Sequence, residues 1–131
     1  MFVPEAVFLE VVKSDKPEAK ILENYLQEKV REVNMHDFIY LDGNTDAGET
    51  EAMLLYKQKS ADMLLIDDRR GRRTAKINGI NTIGSLGILF SAKQAGLVSK
   101  IKTQVEDIAA SRIYLSQSLI EAVLKLAAEN E

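Results

Sequence analysis

Two adjacent aspartates, Asp67 and Asp68, close the apolar run "MLLI" (63–66), and five of the next eight residues, 69–76, are Arg or Lys. Earlier in the chain Glu49 and Glu51 fall within "AGETEA" (47–52). Acids at such places belong to the junctions where apolar strands hand over to helices. In an open parallel sheet, ligands gather beyond the carboxyl ends of the strands. Carboxylates brought together there repel one another unless a cation lies between them, and hard oxygen donors select Mg2+ or Mn2+. Ions of this kind activate water and stabilise an in-line phosphoryl displacement. The basic residues then have a use. On a helix Arg69 and Arg73 are four apart, as are Arg72 and Lys76, so the four form one cationic strip suited to a polyanion's backbone. Each piece has a plainer meaning as well. An Asp after a strand caps the next helix, a Glu early in a helix complements its dipole, and a row of arginines is often a solvated face. Their joint placement is what points to metal-dependent chemistry on nucleic acid.

Other chemistries lack their partners. A phosphate loop ends in Gly-Lys followed by Ser or Thr, and the chain has no Gly-Lys pair. A phosphorelay receiver carries its acidic pair near the start of the chain, whereas Asp67 and Asp68 lie mid-chain. His36 is the single histidine and cysteine is absent, which removes histidine-rich zinc sites and Cys/His nucleophilic sites. His36 is expected at the surface or at an edge. Ser85 in "TIGSLG" has no base spaced to activate it and is expected to cap a helix at the same end of the sheet.

Composition bounds the architecture. The 131 residues suffice for one domain with a core, expected over 1–131, and 46% of them are apolar. No apolar run approaches the ~18 residues of a membrane span, and no basic leader precedes Glu5, so a cytoplasmic protein without membrane attachment is expected. Residues 1–68 hold 15 acids and 7 bases, net −8, and residues 69–131 hold 5 acids and 10 bases, net +5. A chain so divided favours a partner of one sign, most often nucleic acid.

Helices are expected over "VPEAVFLEVV", with Pro4 in the first turn, and over "PEAKILENYLQEKVREV" (17–33), capped by Ser14 or Asp15. A strand is expected at "DFIYL" (37–41) and a turn at "DGNTD" (42–46). Thr45 or Asp46 caps the helix "AGETEAMLLYKQKS", and "DMLLI" (62–66) is a buried strand. The basic helix stops at Asn78–Gly79, "INTIG" (80–84) is a strand, and "SLGILFSAKQAG" is a helix stopped by Gly96. Two amphipathic helices follow, the last capped by Ser116. Strands that alternate with helices, and no hairpin, predict an α/β fold with a parallel sheet.

The span "GETEAMLLYKQKSADMLLIDDRRGRRTAKINGINTIGSLGILFSAKQAGL" (48–97) resembles the PIN-domain-like proteins of bacteria and archaea, through G-E-x-E-A, A-D-x-L-L-I-D-D-R-x-x-R, G-S-L-G and A-K-x-x-G-L in order. "VPEAVFLEV" resembles that family's opening V-P-x-x-V-x-x-E helix. The resemblance implies a three-layer α/β/α sandwich around a short parallel sheet. It implies Mg2+- or Mn2+-dependent ribonuclease activity, often as the toxin of a toxin–antitoxin pair. Carried over by position, Glu10, Glu51 and Asp68 are the catalytic and metal-holding acids, and Glu49 and Asp67 their neighbours. Ser85 is the polar residue beside them, and Arg69, Arg72, Arg73 and Lys76 hold the RNA.

One departure is specific. Relatives open with an apolar strand ending in Asp then Ser or Thr, and this sequence begins at the helix that follows. The expectation is an N-terminally truncated PIN-like fold with weakened metal binding, in which a partner such as a second copy of the chain fills the gap or the sheet is rearranged, an antitoxin being a further partner that the resemblance implies. The alternative to a ribonuclease is a non-catalytic PIN-like module for binding or oligomerisation. A start codon upstream of Met1 would supply the strand.

Overall fold

The computed structural model describes residues 1–34, 46–111 and 116–129. The strand expected over 37–41, the turn at 42–45 and His36 lie outside the described residues. In chain order the elements are β1 (Val3–Pro4), α1 (Glu5–Lys13), α2 (Ala19–Leu26), β2 (Val30–Arg31) and α3 (Ala47–Gln58). There follow β3 (Leu64–Leu65), α4 (Arg69–Ile77), β4 (Thr82–Ile83), α5 (Ser85–Gln94), α6 (Lys102–Ala109) and α7 (Gln117–Leu126). The strands pair two by two, β1 with β2 and β3 with β4. Helices alternate with short parallel strands, so the chain is α/β. Two compact units emerge: Met1–Leu64 with Arg69–Thr82, and Leu65–Asp68 with Ile83–Glu131.

In the first unit β1 and β2 run parallel, with Val3 opposite Val30 and Pro4 opposite Arg31. The Val3 N–H donates to Lys29 O at 3.0 Å. Pro4, having no N–H, sits where β1 ends and serves as the N-cap of α1 in extended conformation. The helix expected to run to residue 33 therefore stops at Leu26. Val30 and Arg31 are drawn into the strand pair, where a β-branched valine packs well. Gln58 of α3 ties down the chain beyond β2, accepting from Asn34 N–H and donating to Glu32 O, each at 3.0 Å. The Phe2 ring lies beside two cations, 4.9 Å from the Arg31 guanidinium and 5.3 Å from Lys59 Nζ.

Helix α3 is capped by Asp46, whose Oδ1 accepts from Glu49 N–H at 2.8 Å. Its buried Met53 and Leu55 join Val3, Leu26, Leu64, Ala75 and Ile80 in the apolar interior of this unit. Helix α4 buries Gly71, Thr74 and Ala75. The fully buried Thr74 satisfies its hydroxyl by donating to Arg70 O at 3.2 Å, one turn back. Asn78 Nδ2 donates to Thr74 O at 2.9 Å, and Gly79 at φ +72° ends the helix as expected. Leu64 N–H donates to Asn81 O at 2.8 Å, which fixes β3 against β4.

In the second unit Ile66 N–H donates to Ile83 O at 3.0 Å. Its core is Leu86, Ile101, Val105 and Ala127, with Leu89, Phe90, Ile108, Ile120, Val123 and Leu124 packed around it. A polar staple holds the helices. The Glu129 carboxylate accepts from Ile101 N–H at 3.0 Å and Lys102 N–H at 3.1 Å, the first donors of α6. Lys93 of α5 bonds Glu129 Oε2 at 2.7 Å and also donates to Ala127 O, the C-cap of α7. One ion pair thus serves an N-terminus and a C-terminus whose backbone groups have no helical partners. The Lys93 hydrogen bond, helped by the two backbone donors, outweighs desolvation and lowers the Glu129 pKa to about 2.

Among the described residues, no helix is long and apolar enough to cross a membrane.

Candidate functional site

Two of the expected acids lie in the first unit, on α1 and α3, which pack together. Glu51 of α3 turns one oxygen to the start of α1, where Oε1 accepts from Ala6 N–H at 3.3 Å. Ala6 is the second residue of α1, so its N–H is among the donors a helix leaves unpaired, and the dipole there favours an anion. Glu10 lies one turn further along α1, and its Oε1 lies over Gly48, in the first turn of α3. As α1 advances from Ala6 to Glu10, its contacts on α3 retreat from Glu51 to Gly48. Each carboxylate thus sits against the amino end of the other's helix. Glu10 is exposed and Glu51 half-buried. Glu49 is half-buried in the first turn of α3, where its backbone N–H is held by the Asp46 cap.

The basic strip also belongs to the first unit. Arg69, Arg72, Arg73 and Lys76 line one side of an open concavity of about 450 Å³, completed by Ile80, Asn81 and Thr82. The helix period puts these four on one face, and Gly71, Thr74 and Ala75 on the buried face. Arg70 points off the strip and does not line the concavity. Asn81 is held at the rim, its N–H donating to Tyr56 Oη at 3.4 Å. Four cations on a concave wall with an amide at its edge suit a chain of phosphates.

In the second unit Asp67 is committed to Ser85. Its Oδ1 accepts from Ser85 N–H at 2.7 Å and its Oδ2 from the Ser85 hydroxyl at 2.5 Å. Ser85 is the first residue of α5, with Gly84 at the N-cap, so the cap of this helix comes from Asp67 eighteen residues upstream. Asp68, exposed, directly precedes α4.

Among the described residues, neither unit gathers three or more His, Asp or Glu side chains into a metal-holding group. The donor chemistry of Glu10 and Glu51 fits a hard cation, since both present carboxylate oxygens and Glu51 has spent only one of them. Asp67 fits less well, because both its oxygens already accept from Ser85.

Short parallel strands and alternating helices define an α/β class. The model of the PIN-domain family DUF3368 matches residues 1–129, and the chain belongs to the PIN-domain family. No match is found among curated proteins or among solved structures.

Proposed function

We propose that this PIN domain is a Mg2+- or Mn2+-dependent endoribonuclease that cuts single-stranded RNA, in the manner of the toxin of a toxin–antitoxin pair. The observation that supports it is the packing of α1 on α3, which sets Glu51 against Ala6 N–H and Glu10 over Gly48, in a chain of this family. In the first unit Glu10 and Glu51 are the acids assigned to hold the ion. When bound, the ion supplies an acidified water and charge compensation at the phosphate. Glu51 stays oriented through Ala6 N–H, and Glu10 through its seat on Gly48. Glu49 adds negative charge in the first turn of α3, and Asp67 holds Ser85 in place at the start of α5. Arg69, Arg72, Arg73 and Lys76 hold the RNA backbone along the α4 concavity.

The test is cleavage of a generic single-stranded RNA with Mn2+. Glu10→Gln and Glu51→Gln are each expected to lower the rate by at least about a hundredfold, more than a lost outer partner of a metal ligand costs. Equal activity in the wild type and both variants would mean a contaminating nuclease and would overturn the assignment.

A non-catalytic binding module is the second possibility, and one observation favours it. On α2, Ile21 is 71% exposed and Tyr25 57%, with Leu22 beside them, an apolar face suited to an antitoxin or a second copy of the chain. A monomeric mass in solution at micromolar concentration would count against self-association through it.

A further inference from the structure

Gly48 is an unexpected residue for the first turn of a capped helix, where glycine gives up helix propensity relative to alanine. Its backbone does not need glycine, since among the described residues the glycines at positive φ are Gly79 and Gly96. Space is what it provides. A Cβ at Gly48 would stand 2.7 Å from Glu10 Oε1, nearer than real Cβ atoms approach, as well as 3.3 Å from Val7 Cγ2 and 3.4 Å from Asp46 Oδ1. The nearest of these three atoms is the charged end of a flexible side chain. The missing methyl therefore decides where the Glu10 carboxylate rests, and the position it leaves open is against the amino end of α3, which favours an anion.

We propose that Gly48 is a positioning residue, whose lack of a side chain seats the Glu10 carboxylate over the first turn of α3 in the place from which it holds a divalent cation. This rests on the metal-dependent function above. Alanine at 48 forces Glu10 to rotate away, while the helix itself tolerates or gains from the change. Fold and metal affinity are thereby uncoupled.

The experiment is calorimetric titration of the apo protein with Mn2+, without RNA, for wild type, Gly48→Ala, Glu10→Gln and the double variant. Gly48→Ala is expected to keep its circular dichroism spectrum and a Tm within about 4 °C of wild type. Its Mn2+ affinity is expected to fall about tenfold, the scale for disturbing a ligand's support. In the Glu10→Gln background the same substitution should change affinity by less than about twofold, because the carboxylate it displaces is already gone. Unchanged Mn2+ affinity in Gly48→Ala, or an equal loss in both backgrounds, would overturn the role of Gly48 and leave the metal site standing. Failure of Gly48→Ala to fold would overturn it too, since the overlap would then fall on the helix packing and not on Glu10. A wild type that binds no Mn2+ would instead overturn the metal-dependent function, and this inference with it.

Discussion

The α4 concavity makes a quantitative prediction about salt. Four cations line it, and each phosphate neutralised on a single strand contributes about −0.7 to the slope of log K against log [salt]. Full engagement gives a slope of about −2.8, so affinity for single-stranded RNA falls about 50-fold between roughly 50 and 200 mM salt. Replacing two of the four, as Arg72→Gln/Arg73→Gln, leaves a slope of about −1.4 and a loss of only about sevenfold over the same range. The fold should not suffer, because both side chains are exposed. Like charges four apart repel by about 0.2–0.5 kcal/mol per pair, and the double change relieves the pairs Arg69–Arg73 and Arg72–Lys76, so Tm is expected to hold or rise slightly. Arg70 is the internal control, on the same helix and outside the concavity. Arg70→Gln should keep the slope near that of the wild type. The assay is fluorescence anisotropy of a labelled single-stranded RNA, in chelator and without divalent ion. An unchanged slope in Arg72→Gln/Arg73→Gln, or a drop in Arg70→Gln as large as in the pair, would refute the assignment of this concavity to the RNA backbone.

Two further predictions concern the fold. The Glu129 pKa is lowered in the folded chain from the model-peptide value of 4.5 to about 2, chiefly by Lys93, so its contribution to stability is complete above pH 4.5 and is lost as pH falls towards 2. Thermal unfolding from pH 7 to 2 should show Glu129→Gln losing less stability than wild type in that window, and parallel acid limbs would contradict the staple. Met53 is fully buried in the first unit, so Met53→Ala should cost about 2–5 kcal/mol in urea unfolding, and a cost below about 1 kcal/mol would mean that the site collapses around the gap.

Where function and fold depend on local chemistry, the sequence announces them. Asp46 and Ser116 cap α3 and α7 because a short acceptor side chain reaches the N–H three residues on. Gly79 and Gly96 end their helices at positive φ, a conformation costly for other residues. The cationic strip follows from the helix period alone. What stayed hidden depends on distant partners. Strands β1 and β2 are two residues each, too short for any periodicity, and Pro4 beside helix formers resembles a helix start. Val30 becomes strand only because Val3 lies opposite. The N-terminus of α6 has no capping residue of its own and takes Glu129 from 28 residues away. Likewise Asp67 caps α5 and Glu51 caps α1 from other elements, roles that spacing does not reveal. Gly48 did leave a signal, a glycine inside the first turn of a helix that already has its Asp cap. Its meaning needed the position of Glu10.

Cleavage of single-stranded RNA in Mn2+, set against the same protein in chelator and against Glu10→Gln/Glu51→Gln, bears most directly on the assignment of Glu10 and Glu51. Metal-dependent cutting by the wild type alone is expected, with the chelated protein and the double variant both silent. Cutting that persists in chelator, or that the double variant retains in full, would contradict it.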